Sequence, residues 1–299
     1  ERSRGLGDVY KRQELELMND GAFLSKMLAT QLDRLDFISD IPVLDGDGKD
    51  IVLKSYEIEL KDVIFAYDSR PVLDGITLKI PQNSTCAIVG PSGSGKTTLC
   101  NMIARFWDVN SGSVKIGGHD VKEFTCDSLL SYVSMVFQKV YLFNDTIENN
   151  IKFGKPNATH AEVVEAAKRA RCHDFIEALP QGYETMIGER GVTLSGGQKQ
   201  RISMARAMAK DAKILILDDS VSAVDTKTEA NILDTIHRDF KDKTIIMIAH
   251  RVSTIASLDK IILMDNGKIV AIGSNDELYE KVPMYREIVD LQHLEGGED

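Results

Sequence analysis

The sequence lacks the features of a membrane-spanning, disulfide-linked or nucleic-acid-binding protein. No apolar run approaches the roughly 18 residues that a bilayer-spanning helix requires, so we expect no membrane span within these 299 residues. The four cysteines are isolated and form no Cys-x-x-Cys pair, which suits neither a zinc site nor a disulfide framework and fits a reducing compartment. Acidic residues outnumber basic ones by 46 to 36, for a net charge of −10. The basic footprint of a nucleic-acid-binding protein is missing, so we expect no nucleic-acid partner.

The start of the chain differs in pattern from the rest. Residues 1–13 show no hydrophobic periodicity, and residues 7–13 (GDVYKRQ) resemble the in-frame translation of a transposon adapter used in sequencing libraries; a disordered natural terminus is the alternative. Residues 22–41 place apolar side chains at helical spacing and predict an amphipathic helix. Residues 45–50 (DGDGKD) are a polar, glycine-bearing linker. We therefore expect a domain boundary near residue 55.

Short β-rich segments then alternate with helical ones, which is typical of an α/β sheet protein. The apolar segments 213–217 and 244–249 predict buried parallel strands, which end in Asp218-Asp219 and in His250. Residues 260–272 predict a hairpin around the turn Asp265-Asn266-Gly267. Helical patterns lie at residues 161–170, 197–210, 226–240 and 284–291. The mostly helical stretch 139–210 predicts an inserted subdomain.

A glycine-rich loop connects the apolar strand predicted at residues 85–89 to a helix predicted at residues 96–106. Its glycines allow backbone N–H groups to turn toward phosphates, and the helix N-terminus adds partial positive charge. In this context the loop predicts a nucleotide phosphate site, in which Lys96 reaches the β and γ phosphates and the Thr97 hydroxyl ligates Mg²⁺. The loop residues are Gly90, Pro91, Ser92, Gly93, Ser94, Gly95, Lys96, Thr97 and Thr98.

A second loop of small residues, the signature Leu194-Ser195-Gly196-Gly197-Gln198, opens another predicted helix and could bind an anion or be a flexible turn. Together with the phosphate-binding loop and the strand ending in Asp218, this signature resembles the ATPase domain of ABC transporters, from about Tyr56 to Gln292. The resemblance implies an α/β P-loop NTPase (RecA-like) fold, with a mixed sheet core, an antiparallel β subdomain and an inserted helical subdomain. It also implies ATP and Mg²⁺ as cofactors. Two such domains pair head to tail, so that each ATP lies between one phosphate-binding loop and the partner's signature.

The resemblance implies a role for each matching position. Tyr67 matches the aromatic residue that stacks on adenine, and Asp218 matches the acid that holds Mg²⁺ with Thr97. Gln138 matches the glutamine that contacts Mg²⁺ or the attacking water and links to the membrane domain. His250 matches the histidine that contacts the γ-phosphate, and Asp225 matches the loop that crosses the dimer interface.

The chain departs from the family at Asp219, where the usual residue is a glutamate that acts as general base. The carboxylate is shorter by one methylene and sits back by roughly 1.5 Å, one C–C bond length. A general base must lie within hydrogen-bond reach, and a well-placed one contributes about 10²–10⁴ in rate. This departure resembles the degenerate half of a heterodimeric exporter, with low intrinsic hydrolysis. The intact signature could still complete a competent site on a partner.

An exporter is the expected context. Residues 188–191 (GERG) resemble a loop of ABC exporters that contacts the partner's intracellular loops, and residues 14–54 resemble the tail of a fused transmembrane domain and its linker. The ATPase domain, residues 55–299, would then lie at the cytoplasmic face of a membrane, with the transmembrane domain as partner. The alternative is a non-transport ABC ATPase of translation or DNA maintenance. Nothing in the sequence indicates the exported substrate.

Overall fold

The structure is a computed structural model that describes residues 48–188, 193–220, 224–249 and 251–295. These residues belong to one compact unit, Asp47–Asp299. The expected adapter segment, the amphipathic helix and the first half of the linker (residues 45–47) lie outside the described residues. Within the described ranges, no helix combines the length and the apolar character that crossing a membrane requires.

The strands form two main sheets and one small pair. Their bounds are β1 Ile58–Phe65, β2 Leu73–Ile80, β3 Thr85–Val89, β4 Ser111–Ile116, β5 His119–Asp120, β6 Val133–Val136, β7 Asp145–Thr146, β8 Met186–Ile187, β9 Ile214–Asp218, β10 Thr244–Ile248, β11 Lys260–Asp265 and β12 Lys268–Gly273. The central sheet has six strands in the order β12-β11-β3-β10-β9-β6. All its neighbouring strands are parallel except β12, which pairs antiparallel with β11. The outer sheet is antiparallel, in the order β2-β1-β4-β5.

The helices begin after the phosphate-binding loop. They are α1 Lys96–Ile103, α2 Cys126–Tyr132, α3 Ile147–Lys152, α4 His160–Arg169, α5 His173–Glu177, α6 Gly196–Ala209, α7 Thr226–Asp239, α8 Val252–Ala256, α9 Asn275–Lys281 and α10 Pro283–Glu295. Helices α3 to α6 lie between β6 and β9 in the chain, together with the antiparallel pair of β7 and β8. The expected inserted helical stretch therefore contains mostly helix among its described residues.

The central sheet is covered on both faces, which explains its continuous apolar strands. Successive side chains of a strand point to opposite faces. In β9, Leu215 and Leu217 pack in a core shared with helices α3 to α7, whereas Ile214 and Ile216 pack in a core shared with α1 and the outer sheet. Every residue of β9 and β10 is buried. A parallel sheet with both faces covered selects such uninterrupted apolar runs.

The fold expected from the sequence is confirmed: a P-loop NTPase domain with a mixed sheet, an antiparallel outer sheet and a helical insertion. Strand β3 has the bounds that the sequence predicts, and β9, β10 and β11 differ from prediction by about one residue. The hairpin of β11 and β12 turns at Asn266 and Gly267, both with left-handed φ of 46° and 76°. Those angles are the ones a type I′ turn requires. Strand β4 and helix α2 are additional elements that the sequence patterns did not indicate.

Candidate functional site

The loop between β3 and α1 has a backbone that only glycine fits at two positions. Gly95 has a left-handed φ of 97°, and a Cβ there would lie 2.9 Å from the carbonyl oxygen of Val72. A Cβ at Gly90 would lie 2.0 Å from the carbonyl oxygen of Met264. Both approaches are closer than real side chains tolerate, so these glycines let the loop fold tightly against β2 and β11. The loop thereby delivers the N-terminus of α1 to the carboxyl edge of the central sheet.

Two buried polar side chains lie inside this loop. The Lys96 ammonium donates hydrogen bonds of 2.8 Å to the carbonyl oxygens of Gly90 and Pro91. Burial lowers the pKa of Lys96, and the charges of Asp218 and Asp219 oppose that shift. The Ser94 hydroxyl is buried and has no hydrogen-bond partner among the described residues. A buried cation, an unsatisfied hydroxyl and a helix N-terminus together fit a bound phosphate.

A hydroxyl and a carboxylate meet beside the loop. Thr97 Oγ1 lies 3.1 Å from Asp218 Oδ1, although the two residues are 121 positions apart in the chain. Asp218 ends β9 and is almost fully buried. The described residues contain no cluster of three or more histidine, cysteine or acidic side chains that could hold a metal alone. One carboxylate and one hydroxyl fit Mg²⁺, which commonly takes few protein ligands and completes its shell with water and substrate phosphates.

Asp219 adopts an uncommon backbone conformation next to this pair. Its φ is 47°, a left-handed value in which aspartate and asparagine are enriched several-fold over other non-glycine residues. Its backbone N–H donates to the carbonyl of Ile248, which joins the ends of β9 and β10. Its carboxylate Oδ2 accepts a 3.1 Å hydrogen bond from the side-chain amide of Gln138. Asp219 thereby connects the end of β9 to the end of β10 and to the segment that follows β6.

A single cavity of about 220 Å³ is lined by most of these residues, although Gly90, Pro91 and Ser94 lie outside its lining. The predicted site residues in its lining are Ser92, Gly93, Gly95, Lys96, Thr97, Thr98, Gln138, Asp218 and Asp219. They come from the phosphate-binding loop, from the segment after β6 and from the end of β9. Parallel strands whose carboxyl ends share one edge produce this convergence, and ligands of open α/β sheets bind at that edge. The cavity is therefore the candidate nucleotide site.

Tyr67 lies next to the first turn of α1 and is 45% exposed. Its hydroxyl is 3.4 Å from Thr98 Oγ1. Its ring is held edge-on by Phe65 at 4.8 Å and by Trp107 at 5.4 Å between centroids. This arrangement leaves an aromatic surface beside the loop that suits the stacking of a base. Sequence reasoning missed Trp107, although an aromatic residue soon after the phosphate-binding helix was the available signal.

The signature residues form the N-terminus of α6. The hydroxyl of Ser195 accepts from the backbone N–H of Gln198, and the Gln198 side chain accepts from the backbone N–H of Ser195. This capping box explains why a helix of 14 residues begins at Gly196 and Gly197. The described lining of the nucleotide cavity contains no signature residue. The signature therefore presents a helix N-terminus outside the chain's own phosphate cavity.

The other predicted positions divide between described and undescribed residues. Asp225 is the N-cap of α7, and its Oδ1 accepts from the backbone N–H of Thr228. Hydrogen bonding to Thr228, through its side chain and its backbone, holds the pKa of Asp225 below its usual range. His250 lies outside the described residues, as do residues 189–191 of the predicted exporter loop.

A second cavity, of about 360 Å³, adjoins the segment that carries Gln138 and was not indicated by the sequence. Exposed aromatic side chains line it: Phe137, Tyr141, Phe143 and Phe153. The Arg206 guanidinium lies over the rings of Phe143 and Phe153, at 5.4 and 5.7 Å from their centroids. Its Nη1 also donates to the carbonyl of Tyr141. These residues form what we call the aromatic groove.

Comparisons with known proteins agree with this geometry. Residues 73–222 match the family described as ABC transporter. A Bacillus subtilis protein provisionally named multidrug export ATP-binding/permease protein YgaD is 46% identical over 239 residues, covering 79% of this chain and 41% of that protein. A Staphylococcus aureus protein, also provisionally named as a multidrug export ATP-binding/permease protein, is 46% identical over 258 residues. The match covers 85% of this chain and 45% of that protein. A solved structure of a bacterial Atm1-family ABC exporter with ATP bound has a TM-score of 0.84 and 38% identity, covering 90% of this chain and 48% of that one. The chain thus spans less than half the length of these proteins.

Proposed function

The chain belongs to the ABC transporter family, and we propose that it is the domain that binds and hydrolyses ATP to drive an exporter. One observation carries the proposal: Lys96, the pair of Thr97 and Asp218, and the pair of Gln138 and Asp219 all line one cavity at the carboxyl edge of the sheet. Phosphate binding, metal binding and activation of water each need one of these groups. The relatives' names, which combine ATP binding with a permease, support the transport context.

Binding of ATP follows from the charges and the rings of the site. The Lys96 ammonium can exchange its contacts with the loop carbonyls for charge-assisted hydrogen bonds to the β and γ phosphates. The backbone N–H groups at the start of α1 supply further donors. Tyr67 offers a ring face to the adenine. The phosphates would therefore bind in the loop while the base rests on the aromatic side chains beside it.

Thr97 and Asp218 are the residues that would hold Mg²⁺. The Thr97 hydroxyl and the Asp218 carboxylate already lie 3.1 Å apart, so both could contact one metal ion. When bound, Mg²⁺ neutralises charge on the phosphates. The position of Asp218 at the end of a fully buried strand fixes its carboxylate with little freedom.

In hydrolysis a water molecule attacks the γ-phosphorus, a base accepts its proton, and the bond from the γ-phosphorus to the β–γ bridging oxygen breaks to release ADP. Asp219 would be that base, and the Gln138 amide, which donates a hydrogen bond to its carboxylate, would orient it. Because aspartate is one methylene shorter than glutamate, we propose that it removes the proton inefficiently and that the chain's own turnover is low. This would make the chain the less active half of a heterodimeric exporter.

A second ABC ATPase domain is the proposed partner. The separation of the signature from the chain's own cavity supports a head-to-tail pair, in which Ser195, Gly196, Gly197 and Gln198 face the nucleotide of the partner. The N-terminus of α6 suits the phosphates because its partial positive charge favours anions. Asp225, at the N-terminus of α7, would lie at the interface.

The transmembrane part of the same transporter is the second proposed partner. The relatives carry both ATP-binding and permease functions in their names, and the chain spans less than half of their length. The aromatic groove, which adjoins the segment that carries Gln138, is an exposed apolar surface on which a segment of the transmembrane part could pack. This arrangement would hold residues 55–299 at the cytoplasmic face of the membrane, with residues 14–54 as the connection. The relatives' names do not favour the alternative of a non-transport ABC ATPase.

Calorimetric titration of the purified 299-residue chain with Mg-ATP tests the proposal. We expect binding that depends on Lys96 and slow release of phosphate. A chain that binds no Mg-ATP would contradict the proposal, whatever its turnover.

A further inference from the structure

Helix α7 carries a buried carboxylate that the proposed mechanism does not use. Glu229 lies one turn into the helix and is only 3% exposed. A buried charge is costly unless it is paired and hydrogen-bonded. One carboxylate oxygen of Glu229 accepts from Arg251 Nη1, and the other accepts from the hydroxyl of Thr254 in α8. Both oxygens of this buried acid are therefore satisfied by the segment that follows β10.

The same guanidinium holds the residue that precedes the N-cap of α7. Arg251 Nη1 and Nη2 each donate a 3.2 Å hydrogen bond to the carbonyl oxygen of Val224. Val224 is followed by Asp225, which caps α7. Arg251 thus holds the start of α7 at two points. One is the backbone carbonyl of Val224, just before the N-cap, and the other is the Glu229 carboxylate in the second turn. A planar guanidinium can make such forked contacts, whereas the point charge of lysine cannot.

This contact joins the segments that leave two neighbouring strands of the site. Strand β9 leads through Asp219 toward Asp225, and β10 leads toward Arg251. The strand ends are already joined by the hydrogen bond between Asp219 N–H and the Ile248 carbonyl. Arg251 and Glu229 do not line the nucleotide cavity. Their contacts therefore act on the geometry of Asp225 and leave the ATP contacts to other residues.

We propose that Arg251 and Glu229 are positioning residues that hold Asp225 where a partner domain can meet it, and so couple ATP-driven pairing to the end of β10. The inference rests on the proposed function. The pair sets the orientation of the first turn of α7, so Asp225 already has the position that contact with the partner domain requires. Loss of the pair leaves ATP able to bind to one chain but makes association of two chains weaker.

Sedimentation velocity of the full chain with a non-hydrolysable ATP analogue tests this role, together with calorimetric titration of the same analogue. In Arg251→Lys we expect ATP-driven association to weaken by about tenfold, a typical coupling between sites, while the affinity of the single chain for the analogue stays within about twofold. Glu229→Gln should shift association in the same direction. The double variant should be no worse than the worse single variant, because the two residues act as one unit.

Arg286→Lys is the matched control. Arg286 also donates to two backbone carbonyls, those of Tyr279 and Glu280, but it joins α9 to α10 away from the site. It should leave association unchanged even if thermal unfolding shifts. Equal association of wild type and Arg251→Lys, or a loss that only follows the drop in Tm across all variants, would overturn the positioning role. A wild-type chain that neither binds the analogue nor associates would instead overturn the proposed function itself.

Discussion

The side-chain amide of Gln138 lies 3.1 Å from the carboxylate of Asp219, across 81 residues of sequence. The contact arises because β6 and β9 are parallel neighbours, so the segments after them leave the sheet side by side. It joins Gln138, which follows Phe137 of the aromatic groove, to Asp219, the residue that we propose as general base. A rearrangement of the segment after β6 would therefore reach the carboxylate of Asp219 through one hydrogen bond.

Lys96→Ala should weaken the binding of Mg-ATP by about 1.5–3 kcal/mol, because it removes a charge-assisted contact to the phosphates. Isothermal titration calorimetry on the full chain measures this loss. Lys79→Ala is the control, since Lys79 forms an exposed ion pair with Glu57 on the outer sheet. Equal affinities of wild type and Lys96→Ala would remove Lys96 from its assigned role.

Tyr67→Ala should weaken ATP binding by about 1–3 kcal/mol, the usual contribution of one stacked base. Tyr67→Phe should bind nearly as well as wild type, because it keeps the ring and loses only the hydroxyl near Thr98. Trp107, the chain's only tryptophan, reports binding by its fluorescence because its ring lies 5.4 Å from that of Tyr67. An alanine variant that titrates like wild type would place the base elsewhere.

Ser195→Arg should abolish ATP-driven association, because it places a bulky side chain at the signature helix N-terminus. The isolated chain should be largely monomeric without nucleotide and associate with a non-hydrolysable analogue, as sedimentation can show. Ser274→Arg is the control: Ser274 also caps a helix, α9, in a capping box, so each variant loses about 1 kcal/mol of cap stability. A tight dimer without nucleotide, or equal losses in both variants, would contradict the head-to-tail assembly.

The sequence sufficed to predict the individual elements of the site, because each is a local pattern. The phosphate-binding loop lies between an apolar strand and a helix, and Asp218 follows an uninterrupted apolar run. The strand ending in Asp218 and the loop bearing Thr97 could be placed at one sheet edge by the general rule for parallel strands.

The contacts between elements could not be predicted, because they depend on strand order and side-chain conformation. The left-handed backbone of Asp219 leaves no local signature, since aspartate is tolerated in that conformation and in many others. The aromatic groove combines Phe137 and Tyr141 with Phe153 and Arg206 from distant parts of the insertion. The ion pair between the buried Glu229 and the partly exposed Arg251 likewise joins α7 to the residue that precedes α8, and each residue shows only an ordinary charge in the sequence.

The substitution of Asp219 by glutamate tests the account most directly, with Asp219→Asn as its control. Asparagine keeps the preference for the left-handed backbone but cannot accept the proton. We expect wild type to bind Mg-ATP well and hydrolyse it slowly, and Asp219→Asn to change little. Asp219→Glu should raise kcat by at least about tenfold, part of the roughly 10²–10⁴ that a well-placed base supplies, with KM nearly unchanged. Brisk wild-type turnover that Asp219→Asn abolishes would contradict the account, because Asp219 would then be a working base and a symmetric pair of identical chains would replace the heterodimer.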